Sequence, residues 1–121
     1  MADAVIAPTV VAQATGVPGV LVTWSALDSD DSGAPVTLID YPDRTVVISG
    51  TFGAGGSCTL QGSNDASTYH TLTDPQGNAI TKTAAGMEAV TEAPVWIRPK
   101  VTAGDGTTAI DVSLLCMRTV R

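Results

Sequence analysis

Gly and Pro interrupt this chain at short intervals, and the stretches between them are rich in Val, Thr and Ile. Twelve Gly and seven Pro in 121 residues leave little room for long helices, whereas β-branched residues suit pleated strands bounded by turns. The alternation is strongest over 109–117, where Ile110, Val112, Leu114 and Cys116 alternate with Asp111, Ser113, Leu115 and Met117. A period of two sends one set to the core and the other outward. Residues 19–25 set Val20, Val22 and Trp24 against Leu21 and Thr23, and 44–52 place Val46, Ile48 and Phe52 on one face. Gly50 within that run predicts a bulge or a close backbone approach. After Gly53-Ala54-Gly55-Gly56, residues 57–62 turn Cys58 and Leu60 inward and Thr59 and Gln61 outward, so the two runs predict a hairpin.

Further along, 68–72 predicts a short strand, and Asp74-Pro75-Gln76-Gly77 matches a type I turn with Pro at its second position. Residues 94–101 carry Val95, Ile97 and Pro99 on one side and Trp96, Arg98 and Lys100 on the other. Pro94 and Pro99 cannot donate to a ladder, which predicts an edge strand. Residues 83–90 are the only helix candidate, but Gly86 interrupts them, and a loop or a short strand is equally compatible. About seven or eight strands spaced by turns predict an all-β fold, a β-sandwich or jelly roll, rather than an α/β one. The length allows one domain. We assign it to 19–121, preceded by an extended N-terminal arm over 1–18, where Pro8, Gly16 and Pro18 recur.

Charge narrows the partners. Twelve acidic residues stand against six basic ones, a net charge of −6, and the resulting field opposes a phosphate backbone. Nucleic acid is not expected as a partner. No positively charged region precedes an apolar run at the N-terminus, so no export signal is expected. No stretch approaches the ~18 consecutive apolar residues of a membrane span, and no membrane association is expected. Cys58 and Cys116 each lie in an apolar run without a partner at metal-ligand spacing, which favours buried free thiols over one disulfide.

The half-motifs for chemistry each fail at a specific position. Asp28, Asp30, Ser32 and Gly33 have the spacing of the first half of an EF-hand loop, but Ile39 stands where a bidentate Glu is required. Asp40 follows it, so an irregular cation site at Asp28 and Asp30 remains open beside the favoured solvated acidic turn. Gly53-Ala54-Gly55 is followed by Cys58 in place of a third glycine and by a strand rather than a helix, which removes a nucleotide loop. His70 is the only histidine and reads as a surface polar residue; Glu88 and Glu92 read as solvated. We therefore expect no enzyme activity, no catalytic residue, no metal and no cofactor. Trp24 and Trp96 are expected to divide between core and interface. Trp96 beside Arg98 has the composition of a binding hot spot, with packing beneath Met87 as the equal alternative.

Three segments carry a resemblance: GTFGAGGSCTLQGSND from Gly50 to Asp65, LTDPQGNAI from Leu72 to Ile80, and IRPKVTAGDGT from Ile97 to Thr107. Over residues 40–116 the chain resembles the capsid decoration, or cement, proteins of tailed phages, small virion structural proteins encoded beside capsid genes. The resemblance implies a β-sandwich or jelly-roll module made in the host cytoplasm. Such a module binds the exterior of the capsid and cements capsomer junctions, with the major capsid protein as partner and self-association as dimer or trimer. It transfers no functional residue. An arm can add a strand to a neighbour's sheet edge, so Val5, Ile6 and Pro8, with Trp96, Arg98 and Lys100, are the candidate partner-binding residues. The alternatives are a phage tail or adhesion component presenting loop 62–65, and a lectin-like glycan-binding β-sandwich.

Overall fold

The fold is that of a computed structural model, which describes residues 5–6, 9–12, 19–37 and 41–117. In chain order the strands are β1 (Val5–Ile6), β2 (Thr9–Ala12), β3 (Gly19–Leu27), β4 (Ser32–Gly33) and β5 (Asp43–Thr51). They continue with β6 (Ser57–Ser63), β7 (His70–Thr71), β8 (Thr81–Lys82), β9 (Gly86–Val90), β10 (Trp96–Ala103) and β11 (Ala109–Met117). They form a β-sandwich. One sheet runs β1-β4-β10-β6-β7, with β8 also on β6, and the other runs β2-β3-β11-β5-β9. All pairings are antiparallel except that of β1 with β4.

The core lies between the sheets and follows the sequence alternation. Val20, Val22 and Trp24 from β3, Val46 and Ile48 from β5, and Ile110, Val112, Leu114 and Cys116 from β11 are all buried. They meet Cys58, Leu60, Ile97 and Val101 from the other sheet. The Trp24 indole N–H would be costly to bury unpaired, and it donates to Ala34 O at 3.0 Å. Gly33 makes room for that ring, since a Cβ there would lie 2.5 Å from Trp24 Cδ1.

Three expectations change. First, the runs 44–52 and 57–62 do not form a hairpin: β5 and β6 belong to different sheets. Alternation cannot distinguish a hairpin from a corner, because both keep the same face inward. Here the chain passes between sheets through Gly53 and Gly55, at φ 72° and 68°, a region that favours glycine. The β10-to-β11 connection crosses at the same corner, and Asp105 ties the two together. Its Oδ2 accepts from Ala54 N at 2.8 Å, and its Oδ1 accepts from Thr107 N and Oγ1 at 2.8 and 2.7 Å. Thr108 Oγ1 completes the clamp by donating to Phe52 O at 2.8 Å.

Second, the proline-bearing strand is internal, lying between β4 and β6. Ile97 exchanges backbone bonds with Val36, and Val101 N donates to Asp31 O, all on the β4 side. By alternation Pro99 directs its nitrogen to that side, between those bonds, where no ladder donor is needed. Third, Thr59 is buried rather than solvated, because β8 lies beside it: its hydroxyl meets Ile80 O and Thr81 Oγ1, each at 3.0 Å. Of the alternatives open for 83–90, residues 86–90 take the strand, β9, paired with β5 from Arg44 to Ile48.

Within 1–18 the described backbone is extended but paired inside the chain: Val5–Ile6 with Ser32–Gly33, and Thr9–Ala12 with Val20–Thr23. An open sheet edge presents unpaired backbone groups, and these strands occupy one edge of each sheet. On the opposite side the sheets are joined by Thr91 N donating to Thr73 O at 2.9 Å and by Glu92, which accepts from Thr73 N and Oγ1.

Candidate functional site

The outward face of β10 is the first candidate. Alternation buries Ile97, Pro99 and Val101 and leaves Trp96, Arg98 and Lys100 half-buried on the other side. Their cross-strand neighbours on β6 are Ser63, Gln61 and Thr59. Arg98 is held in place twice: its Nε donates to Gln61 Oε1 at 3.0 Å, and its guanidinium carbon stacks 3.8 Å from the centroid of the Tyr69 ring. A planar guanidinium fixed against an aromatic ring loses little freedom on binding and keeps its outer N–H groups available. Lys100 is committed differently, donating from Nζ to Asp30 O at 2.8 Å and so tying the acidic loop to the sheet.

The two tryptophans differ in burial, with Trp24 fully buried and Trp96 partly exposed. Met87, the alternative cover for Trp96, lies on β9 of the other sheet and is 65% exposed. Val5 and Ile6 belong to β1, two strands away from β10 across β4, so the structure does not bring them beside Trp96. Pro8 lies outside the described residues.

A cleft of about 670 Å³ opens where β6 ends and β10 begins. Ser63, Asn64, Asp65, His70, Glu92 and Pro94 are among the residues lining it. In the sequence these residues stand apart, as an exposed loop, a surface histidine and a solvated acid, and nothing local places them together. The legible signal was Ser63-Asn64-Asp65-Ala66-Ser67-Thr68, a run suited to a side-chain-capped turn. Asp65 Oδ1 accepts from Ser63 Oγ, Ser67 N and Thr68 N at 2.8–2.9 Å. The backbone bonds from Thr68 and Ser67, followed by the Ser63 hydroxyl, hold the Asp65 carboxyl down at about 2. At Glu92, burial pushes the carboxyl up, but the bonds from Thr73 outweigh it and leave it below its ordinary value.

The remaining candidates carry structural roles. In the acidic loop, Asp31 Oδ2 accepts from Asp28 N and Asp28 Oδ1 from Ser29 N; Ile39 and Asp40 lie outside the described residues. Among the described residues no three His, Cys, Asp or Glu side chains converge to hold a metal ion. Cys58 and Cys116 are buried free thiols on opposite sheets, the arrangement the sequence favours. Burial pushes Cys58 up to about 12 and Cys116 to about 11, the latter against the pull of neighbouring Arg44. Arg44 is itself buried, lowered by that burial, and donates from Nε to Tyr41 O at 3.1 Å. Among the described residues no helix is long and apolar enough to cross a membrane.

No protein-family model matches the chain, and no curated protein matches its sequence. Solved structures do match its fold. The SPBc2 prophage-derived protein YomS is similar at a TM-score of 0.59 and 12% identity, over 89% of this chain and 98% of that one. A cupin domain from Bordetella pertussis Tohama I is similar at a TM-score of 0.50 and 14% identity, over 98% of this chain and 99% of that one. At these identities the likeness is one of fold, and it extends over nearly the whole β-sandwich.

Proposed function

We propose that this protein is a virion structural component of a tailed phage that binds the outer surface of the capsid and cements junctions between copies of the major capsid protein. The observation that carries the reading is the outward face of β10, where Trp96 stands beside an Arg98 pre-fixed on Tyr69. A large aromatic and an arginine on a rigid internal strand are the side chains that contribute most in protein interfaces, and little ordering is left to be done on binding. The fold likeness to a prophage-derived protein over 89% of this chain supports the phage setting.

The protein acts by contact rather than turnover, and on the shell it associates as a dimer or trimer. Purified expanded shells lacking this protein, mixed with increasing amounts of it and sedimented, test the proposal. Saturation at a fixed number of copies per shell is expected; absence of co-sedimentation, or uptake without saturation, overturns it.

A further inference from the structure

We propose that the cleft between the Asn64–Asp65 loop and the Glu92–Pro94 segment is a binding site for a neutral, hydroxyl-rich ligand, an uncharged oligosaccharide. The cleft volume, about 670 Å³, lies in the range of sites that enclose a small organic ligand and far exceeds the space of a single ion or water.

The floor is apolar and closely packed. Leu72 is 4% exposed, and it and Pro94 press on Gly62 so tightly that a Cβ there would meet them at 2.8 and 2.4 Å. The walls are polar and partly pre-oriented. Asn64 Oδ1 accepts from Val95 N at 3.1 Å, which fixes the amide and leaves its Nδ2 as a donor. Asp65 receives its three bonds on Oδ1, which leaves Oδ2 as an oriented acceptor. His70 is exposed on the rim.

That inventory selects among ligand classes. Among the described residues no Lys or Arg lines the cleft, and two carboxylates do, so phosphorylated or acidic ligands are disfavoured. The polar walls do not suit a lipid or a fused aromatic ring system. A basic peptide would find one uncommitted carboxylate oxygen, on Asp65, because both Glu92 oxygens already accept from Thr73. A chain of hydroxyls fits the remainder. Hydroxyl groups can donate to Asp65 Oδ2 and accept from Asn64 Nδ2, while His70 serves either way, and the C–H face of a sugar ring can lie on the half-buried Pro94 ring.

The test is an NMR titration of the full-length protein with uncharged oligosaccharides of glucose, galactose, mannose, rhamnose and N-acetylglucosamine, and separately with oligolysine. At least one sugar is expected to shift the amides of residues 62–72 and 91–95 saturably. Asn64→Ala and His70→Ala are each expected to weaken that binding about tenfold, with the unfolding midpoint unchanged in His70→Ala and slightly lowered in Asn64→Ala, which also loses the bond to Val95 N. No saturable shift by any sugar at roughly 10 mM, binding of oligolysine in place of sugar at the same amides, or sugar binding unaffected by both substitutions overturns the assignment. Because the isolated protein is used, failure here leaves shell attachment standing, and failure of shell attachment leaves this site standing.

Discussion

The two sheets of the sandwich are built from very different amounts of regular strand. The sheet carrying Trp24 sets three nine-residue strands side by side, β3, β11 and β5. The sheet carrying Trp96 relies on β6 and β10 and is completed by β1, β4, β7 and β8, each two residues long. Long paired strands bury one unbroken face, so the first sheet supplies most of the core and carries the stability. Short strands break off into loops, and loops on a rigid support are where binding groups collect. Both the Trp96–Arg98 stripe and the cleft fall in the second sheet. On the proposed function, stability and recognition fall on opposite layers, with β10 contributing to each through its two faces.

The sharpest way to break that division is to treat the two tryptophans alike. Trp24→Ala removes a fully buried ring and is expected to cost about 3–5 kcal/mol in urea unfolding. Trp96→Ala is expected to cost less than about 2 kcal/mol; equal losses would place Trp96 in the core and dissolve the comparison. Next in size, Gly33→Ala forces a Cβ to within 2.5 Å of Trp24 Cδ1 and 2.7 Å of Pro99 Cδ. A destabilisation of about 1–3 kcal/mol is expected from such overpacking, and a neutral result would show that the sheets are not tightly interlocked there.

The corner clamp gives a smaller, pH-dependent effect. The Thr107 hydroxyl, with the Ala54 and Thr107 N–H groups, lowers the Asp105 carboxyl from its ordinary 3.8 to about 2. A carboxyl lowered on folding adds stability above its ordinary value, and that contribution is lost as pH falls through the folded value. The unfolding midpoint is therefore expected to drop between about pH 4 and pH 2. Asp105→Asn should flatten part of that drop, with Asp65, also lowered to about 2, responsible for a share of the rest. An unchanged profile in Asp105→Asn would remove the clamp from the account. Least disruptive of all, both thiols should stay unreactive toward a disulfide reagent at pH 8, being buried and held protonated at about 12 and 11, and react once urea unfolds the chain. Labelling of the native protein would indicate a looser core than the one described.

The division between the sheets also explains what the sequence could reveal. The faces of β3, β5, β10 and β11 were legible, because period-two alternation maps directly onto burial, except that Val95, read on the side of Ile97 and Pro99, precedes β10 and is 37% exposed. Partner choice was not legible. Nothing local distinguishes a corner at Gly53–Gly56 from a hairpin turn, since the deciding groups, Asp105 and Thr108, come from the far end of the chain. Pro99 argued for an edge, yet the missing donor faces a gap in a ladder whose partner is only two residues long. The cleft was invisible for the same reason: Asn64, His70 and Glu92 are separated in sequence and are gathered by β6, β7 and the β9–β10 connection.

The most direct test of the central claim is a density map of shells saturated with this protein, at a resolution that separates the two sheets. The outward face of β10 and β6, with Trp96 and Arg98, is expected to lie against the capsid protein while β9 and the outward face of β5 look into solvent. A map in which the β5–β9 layer contacts the shell and Trp96 faces solvent would contradict it.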